Sequence, residues 1–348
     1  MNTEPWSARR KLCVLCASVF KTISRMKRRK VIKNLALGAG GMATLTQACA
    51  PTNEVAKAPI PEMKIIEKEK PTIYKGNINH SVCRWCYGNI PMEAFIEGVK
   101  EMGGIKSIEL TTAEEWPLLQ QNGLTSAVGT ASFANIQEGF NDPNNHAKLL
   151  TPYLDLVDKA ADAGIPNVIV FSGNRNGMDD QVGMENCAVG LDAIVKHAEK
   201  KGVTIIMELL NSKVDHKDYM CDLTPWGSKL VDKMGSPNLK LLYDIYHMQI
   251  MEGDVIATIR KYKDYIAHFH TGGVPGRNEI NETQELYYPA IMKAILDTGY
   301  KGYVAQEFIP TWDDKLAALK HGIVTCDVKK KRMKYFQNHS NLFQAISV

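Results

Sequence analysis

The stretch "LKLLYDIYHMQIMEGD", residues 239–254, decides how this chain is to be folded. It opens with an apolar run, Leu239, Leu241, Leu242 and Tyr243, of the kind that fills a strand buried on both faces. Asp244 stands where the run stops, and His247 follows three residues later. A carboxylate at the end of a buried strand is costly unless something positive faces it. The stretch therefore predicts a strand and, at its C-terminal end, a cationic partner.

The same kind of unit recurs on both sides of it. From residue 78 onward, short β-rich runs alternate with longer amphipathic stretches. The expected strands are 79–85, 105–110, 124–130, 166–172, 202–208, 239–244, 264–270 and 302–307. Among the intervening stretches, 148–163 sets Leu149, Tyr153, Leu156 and Ala160 on one helical face. Residues 186–200 are expected to turn Val189, Ala193 and Val195 toward another. "AGIPN" (163–167) and "EKKGV" (199–203) read as helix-to-strand turns, with glycine just past the helix end.

Eight strand–helix units predict an α/β fold, a closed (β/α)8 TIM barrel over residues 77–327. A doubly wound sheet is the rival, but no G-x-G-x-x-G follows any expected strand. "ALGAGG" (36–41) has the glycines without the strand.

In such a barrel the active site lies at the C-terminal ends of the strands. The last polar residues of the final four strands are Glu208, Asp244, His270 and Glu307, spaced by 36, 26 and 37 residues. Consecutive barrel strands are neighbours, so these side chains are expected to converge. Each acid taken singly has an alternative in a nearby Lys or Arg. Four such groups at consecutive strand ends point instead to a bound cation. Three carboxylates and one imidazole suit Mg²⁺, Mn²⁺ or Co²⁺; Zn²⁺ fits this oxygen-rich set less well.

The segments "MELLNSKVDH" (207–216), "YDIYHMQIMEGD" (243–254), "HFHTGGVPGRNEI" (268–280), "ELYYPAI" (285–291) and "GYVAQEFIP" (302–310) carry a resemblance. They resemble the xylose-isomerase-like barrels, and specifically the hydroxypyruvate isomerase family, over about residues 78–325. The resemblance implies that Glu208, Asp244, His270 and Glu307 are metal ligands and that Glu208 and Glu307 are also the catalytic acid–base pair. It implies substrate contacts for His247 and Arg277. Some hydroxypyruvate isomerases carry Gln where this chain has His270, whereas ketose 3-epimerases carry His, which leaves the substrate open between them.

The implied reaction moves a carbonyl along a small α-hydroxy carbonyl compound through an enediolate, hydroxypyruvate to tartronate semialdehyde being the type case. A metal stabilises the two enediolate oxygens, while one carboxylate removes a proton and another returns it. Arg277 suits a substrate carboxylate, or braces its glycine-rich loop. The alternatives are a ketose 3-epimerase or another sugar isomerase or dehydratase. From a different class, a non-catalytic carbohydrate-binding barrel at the cell surface is the rival. Weaker site candidates are Asn174 and Arg175 in "FSGNRNG" (171–177), His146, Trp85, Trp116, and Asp215–His216 read as a local pair.

Charge separates the middle of the chain from its ends. The 348 residues are 45% hydrophobic and 23% charged, ordinary for a globular enzyme. Residues 1–76 hold 15 Lys/Arg against 5 Asp/Glu, and 328–348 hold 5 against none. The barrel region then has 22 Lys/Arg against 33 Asp/Glu, so the overall +4 belongs to the ends. An acidic barrel is a poor match for a phosphate backbone, which argues against nucleic acid and for a small-molecule substrate. A homo-oligomer is compatible with this composition.

Residues 26–49, "MKRRKVIKNLALGAGGMATLTQAC", read as an export signal. Arg28-Arg29 resembles a twin-arginine motif, and "LTQAC" resembles a lipobox with Cys49 as the lipidated residue. Leu45 lies one position early for that pattern. Export from a bacterial cytoplasm follows as the expectation, with the protein periplasmic or anchored to a membrane through Cys49. Residues 1–25 resemble no part of such a signal, so they are expected to be a non-native leader and Met26 the true start. Residues 50–76 read as a linker and 328–348 as a solvated basic tail. Cys13/Cys16 falls in the leader, and Cys83/Cys86 is expected to pack rather than to bind zinc, because no second pair lies at zinc-finger spacing.

Overall fold

The computed structural model describes residues 72–329. The expected leader, the expected export signal with Cys49, nearly all of the expected linker and the basic tail beyond 329 lie outside the described residues. Eight strands follow in order: β1 (Asn79–Cys83), β2 (Ile105–Glu109), β3 (Val128–Gly129), β4 (Asn167–Val170), β5 (Thr204–Leu209), β6 (Leu239–Asp244), β7 (Ile266–Thr271) and β8 (Tyr303–Gln306). Among the described residues nine helices accompany them: α1 (Met92–Met102), α2 (Trp116–Gln121), α3 (Pro143–Asp162), α4 (Asp180–Lys201), α5 (Thr224–Met234), α6 (Ile245–Met251), α7 (Val255–Lys261), α8 (Tyr288–Asp297) and α9 (Lys315–Cys326).

The strands form one sheet in the order β2-β1-β8-β7-β6-β5-β4-β3, with every pairing parallel. Two parallel bridges, Ser107–Thr125 and Thr111–Gly129, bring β2 to β3 and complete the ring. This is the expected (β/α)8 barrel. Its weakest seam is β3, two residues long where seven were expected. Serine hydroxyls interrupt the ladder there. Ser107 Oγ accepts from Ala127 N at 2.8 Å, and Ser126 Oγ donates to Val128 O at 2.8 Å.

Period-two alternation decides what faces the barrel interior. In β7, Phe269 packs against Tyr243 and Tyr300, at ring distances of 6.0 and 4.9 Å. His268 and His270, on either side of it, both point the other way, toward Glu109. On β6, Leu241 faces Gly227 of α5, so Leu242 and Asp244 face inward. Leu239, Leu241, Leu242 and Tyr243 are all fully buried, which explains the apolar run that opened the sequence reading.

The helices lie at their expected places, though α4 begins six residues before its expected start, and two further differences stand out. Helix α3 begins five residues before the expected start, where Asp142 caps the first turn through Asn144 N and Pro143 occupies N1. Its predicted face, Leu149, Tyr153, Leu156 and Ala160, is buried. On α4 the predicted face is wrong: Val189 is 72% exposed and Ala193 is exposed too. The buried stripe runs instead through Met184, Cys187, Leu191, Ile194, Val195 and Ala198. Three scattered apolar residues gave the wrong helical phase, and only Val195 belongs to the core.

Candidate active site

Strand β1 ends at Cys83, two residues short of its expected end, and a 3₁₀ turn over Arg84–Tyr87 follows. Arg84 secures the turn by donating to Tyr87 O (2.6 Å) and Ile90 O (2.8 Å). That turn carries Trp85 over the C-terminal mouth of the barrel, where its Nε1 donates to Glu307 Oε1 at 2.7 Å.

The structure brings Glu208, Asp244, His270 and Glu307 together, with one ligand-type atom of each within 4.8 Å of the others, and all four are buried. His270 Nδ1 lies 2.7 Å from Glu307 Oε2 and 3.5 Å from Glu208 Oε1. Asp244 ends β6 and also caps α6, its Oδ1 accepting from Tyr246 N (2.7 Å) and His247 N (3.2 Å). The helix N-terminus thus stabilises part of the charge that the sequence left unpaired.

Asp244's cationic partner in the structure is Arg277. Its Nη2 donates to Asp244 Oδ2 at 3.2 Å and to Glu307 Oε2 at 2.6 Å, and its Nε donates to Glu307 O at 3.2 Å. The guanidinium carbon sits 5.1 Å from the Trp85 ring centroid and 5.4 Å from that of Tyr246. Arg277 has φ +58, in the left-handed region, at the end of the turn closed by its N–H to Gly273 O. The residue the sequence assigned to a substrate clamp or a loop brace is therefore also a counter-ion of the acidic cluster.

His247 is fully buried on α6. Asn211 Oδ1 accepts from Val214 N (3.0 Å) and Asp215 N (2.9 Å), which fixes the amide so that Nδ2 faces His247 Nδ1 at 2.7 Å. Nδ1 must then accept, and the imidazole proton belongs on Nε2. That Nε2 lies 3.7 Å from Asp244 Oδ2 and has no hydrogen-bond partner among the described residues. It is a free donor at the edge of the cluster.

The electrostatics of the cluster are those of an incomplete charge set. Burial raises Glu208, and the Glu307 charge adds to this. Burial likewise pushes Asp244 up to about 8, although Arg277 opposes it. Burial acts upward on Glu307 too, but His270 and Arg277 hold it well below the usual range. Burial alone would lower His270; the Cys83 sulfur and the Glu307 and Glu109 carboxylates more than offset it, and it lies well above its ordinary value. Four acids, counting Glu109, thus face two cations, Arg277 and protonated His270, and burial meets the excess by favouring the protonated forms of Asp244 and Glu208. A divalent ion held by three carboxylates and one imidazole supplies the missing charge, so the donor set fits a hard or borderline metal.

Two residues of the site went unread in the sequence. Glu109 ends β2, fully buried, with Oε1 2.7 Å from His268 Nε2 and 2.9 Å from His270 Nε2. "IKSIEL" shows the same acid-after-apolar-strand signal as Asp244, but in the second strand rather than in the last four. His268 was likewise visible, two positions before His270 and so on the same side of β7.

The weaker candidates separate clearly. Arg175 binds Asp180, Asp222 and the Tyr219 and Met220 carbonyls, a loop brace. His146 bonds Phe140 O at 2.8 Å and packs under Gly190, away from the four-residue cluster. Trp116 is core, bonded to Thr111 O. Asp215 pairs with Asn211 and Tyr246 rather than with His216. Asp215, His216 and Asn174 instead line an open cleft of about 740 Å³ with Asn135, Gln137 and Lys217. It adjoins the cluster through His216, whose ring lies 5.3 Å from that of His247. Cys83 and Cys86 are buried free thiols, and Cys83 Sγ packs 3.7 Å from His270 Nε2.

Residues 106–323 match the family model of the xylose isomerase-like TIM barrel. The chain belongs to that family. Within it, a human protein provisionally named hydroxypyruvate isomerase is 27% identical over 235 residues, 66% of this chain and 78% of that one. The hydroxypyruvate isomerase of Escherichia coli K12 is 35% identical over 111 residues, 32% of this chain and 42% of its own length. The solved structure of an L-ribulose 3-epimerase superposes with a TM-score of 0.61 at 17% identity, covering 71% of this chain and 92% of that chain, a likeness of fold.

Proposed function

We propose that this family member is a divalent-metal-dependent isomerase of small α-hydroxy carbonyl compounds, of the hydroxypyruvate type. The observation that carries it is the pair of buried carboxylates, Glu208 and Glu307, lying 3.5 and 2.7 Å from the same imidazole nitrogen, His270 Nδ1. The names of the human and E. coli relatives support the same reaction class.

Glu208, Asp244, His270 and Glu307 would hold the metal. When bound, it would supply positive charge for the two oxygens of an enediolate. The protein groups do the rest. One carboxylate of the pair removes a proton from the hydroxymethyl carbon and the carbonyl oxygen gains the electron pair; the hydroxyl proton then passes to that oxygen, the hydroxyl oxygen becomes the new carbonyl, and the other carboxylate's proton goes to the former carbonyl carbon. Glu208 is the less tethered of the two, since Glu307 is held by Trp85, Arg277 and His270. His247 Nε2–H donates to a substrate hydroxyl. Arg277 offers Nη1, the arm of its fork not engaged with the acids, to a substrate carboxylate.

A ketose 3-epimerase is the second reading, favoured by the roomy polar cleft beside His247. A sugar chain extending from the cluster past His216 would meet Asn135, Asn174 and Lys217, which a three-carbon acid does not reach. An exported enzyme, as proposed from residues 26–49, would also meet sugars and sugar acids more readily.

The test is proton NMR of the full chain in D₂O with Mg²⁺ or Co²⁺, first on hydroxypyruvate and then on ketoses. Chelator-sensitive formation of tartronate semialdehyde, lost in Glu208→Gln and Glu307→Gln, is the expected result. Inversion at C3 of a ketose, with hydroxypyruvate untouched, would establish the epimerase. Sugar binding without exchange of any carbon-bound proton would leave only a non-catalytic barrel.

A further inference from the structure

Glu109 is the buried acid that the proposed reaction does not use. It lies on β2, with β1 and β8 between it and β7 in the sheet order, and reaches across the barrel to both histidines of β7. Its Oε1 alone takes both contacts, while Oε2 has no partner among the described residues. The two imidazoles are nearly perpendicular, at 87° with centroids 5.1 Å apart, so their Nε2–H groups meet one oxygen from different directions. A fully buried carboxylate placed this way costs stability unless its charge is used.

We infer that Glu109 is a positioning residue for His270, selecting the tautomer that leaves Nδ1 bare as a metal ligand. Carboxylate oxygens can only accept, so without an ion both His270 nitrogens carry protons, Nε2 toward Glu109 and Nδ1 toward Glu307; an ion held by Glu208, Asp244 and Glu307 would displace the Nδ1 proton, while Nε2–H stays donated to Glu109. His268 takes no part in the four-residue cluster; its Nε2–H anchors Glu109 Oε1 so that the acid stays in reach of His270. A carboxylate behind a ligating histidine typically accounts for 10–100-fold in metal affinity. The inference rests on the metal-centre reading of Glu208, Asp244, His270 and Glu307.

The experiment is a Co²⁺ titration of the full chain, followed by visible absorption. Wild type is expected to take up one equivalent. Glu109→Gln keeps the side chain's shape and drops its charge; it is expected to bind about 10–100-fold more weakly with an unchanged far-UV circular dichroism spectrum. Equal affinity in the two proteins overturns the inference and leaves the metal centre standing. No stoichiometric uptake by wild type overturns both. A second measurement does not depend on the variant folding: long-range ¹H–¹⁵N NMR of the imidazoles in Zn²⁺-loaded wild type. A proton on His270 Nε2 with metal on Nδ1 supports the assignment, and the reverse arrangement sinks it.

Discussion

Replacing Arg277 by Met keeps the length of the stem between Trp85 and Tyr246 and removes the charge. Arg277 is 12% exposed, and its partners Asp244 and Glu307 are 0% and 3% exposed, so solvent screens this cluster little. Removing one member of such a buried set costs about 3–5 kcal/mol, because the remaining charges are left without a partner. Here one acid can relieve part of the loss. Burial already pushes Asp244 up to about 8 with Arg277 in place. It therefore already carries a proton at pH 7, and losing the guanidinium only holds that proton more firmly, which places the expected cost at the low end, about 3 kcal/mol. A divalent ion should then matter more to the variant than to wild type, since it supplies the charge that Arg277 no longer does.

The assay is urea unfolding of both proteins at pH 7, once with chelator and once with millimolar Mn²⁺. Saturation at about 1,000 times the dissociation constant adds about 4 kcal/mol to any protein that binds the ion only when folded. The expected pattern is a gap of about 3 kcal/mol with chelator that narrows with Mn²⁺. A gap below about 1 kcal/mol with chelator would refute the view of Arg277 as the counter-ion of the acids. A gap that widens with Mn²⁺ would refute the shared-charge argument.

Other outcomes follow from single contacts. Burial, helped by Lys106 and Lys75 and opposed by Asp327, lowers buried His80 to about 4 from 6.5. Between those values the unfolded chain binds the extra proton, so stability is complete above pH 6.5 and falls by about 3 kcal/mol on descending to pH 4. Urea unfolding at pH 7 and 4.5 should show a loss in wild type that His80→Asn lacks; parallel curves would contradict it. Glu208→Gln should lower the rate of carbon-bound proton exchange by about 10²–10⁴-fold, read by NMR in D₂O; retained exchange removes Glu208 from the acid–base pair. Asn211→Leu frees His247 Nδ1 and so its tautomer, and should raise KM about 10-fold, the worth of one hydrogen bond; an unchanged KM sinks the donor role of Nε2. Gly139→Ala drives a Cβ into the backbone of Phe171, Ser172 and Gly173, which cannot give way, and should cost about 3 kcal/mol in unfolding experiments.

What could be read from the sequence, and what could not, divides along a physical line. The end of a buried strand is a local signal: Asp244 follows Leu239–Tyr243 directly, and its cost is visible without any knowledge of its neighbours. The eight-fold repetition of strand and helix then fixes which strand ends are adjacent, and that is why Glu208, Asp244, His270 and Glu307 could be grouped. Helical phase was legible on α3, where four apolar residues recur at regular spacing, and not on α4, where Val189 and Ala193 point to solvent. Contacts across the barrel carry no such signal. Glu109 lies 159 and 161 residues from its two partners, and nothing in those separations marks them as bonded.

Arg277 shows the same limit from the other side. Its loop, with Gly276 at φ +90 and Arg277 at φ +58, is legible as a turn, but the direction of the guanidinium depends on Trp85, which a 3₁₀ turn 190 residues earlier places over the mouth. Trp85 is 45% exposed, so nothing about core packing holds it there. Its hydrogen bond to Glu307 and its face against Arg277 do. The wall of the site and its counter-ion are therefore held by the same acid that is proposed to move a proton. Protonating Glu307 would weaken the Arg277 contact and the Trp85 hydrogen bond together. Each proton transfer proposed at that carboxylate would thus be coupled to the aromatic wall above it, a coupling no reading of either segment alone contains.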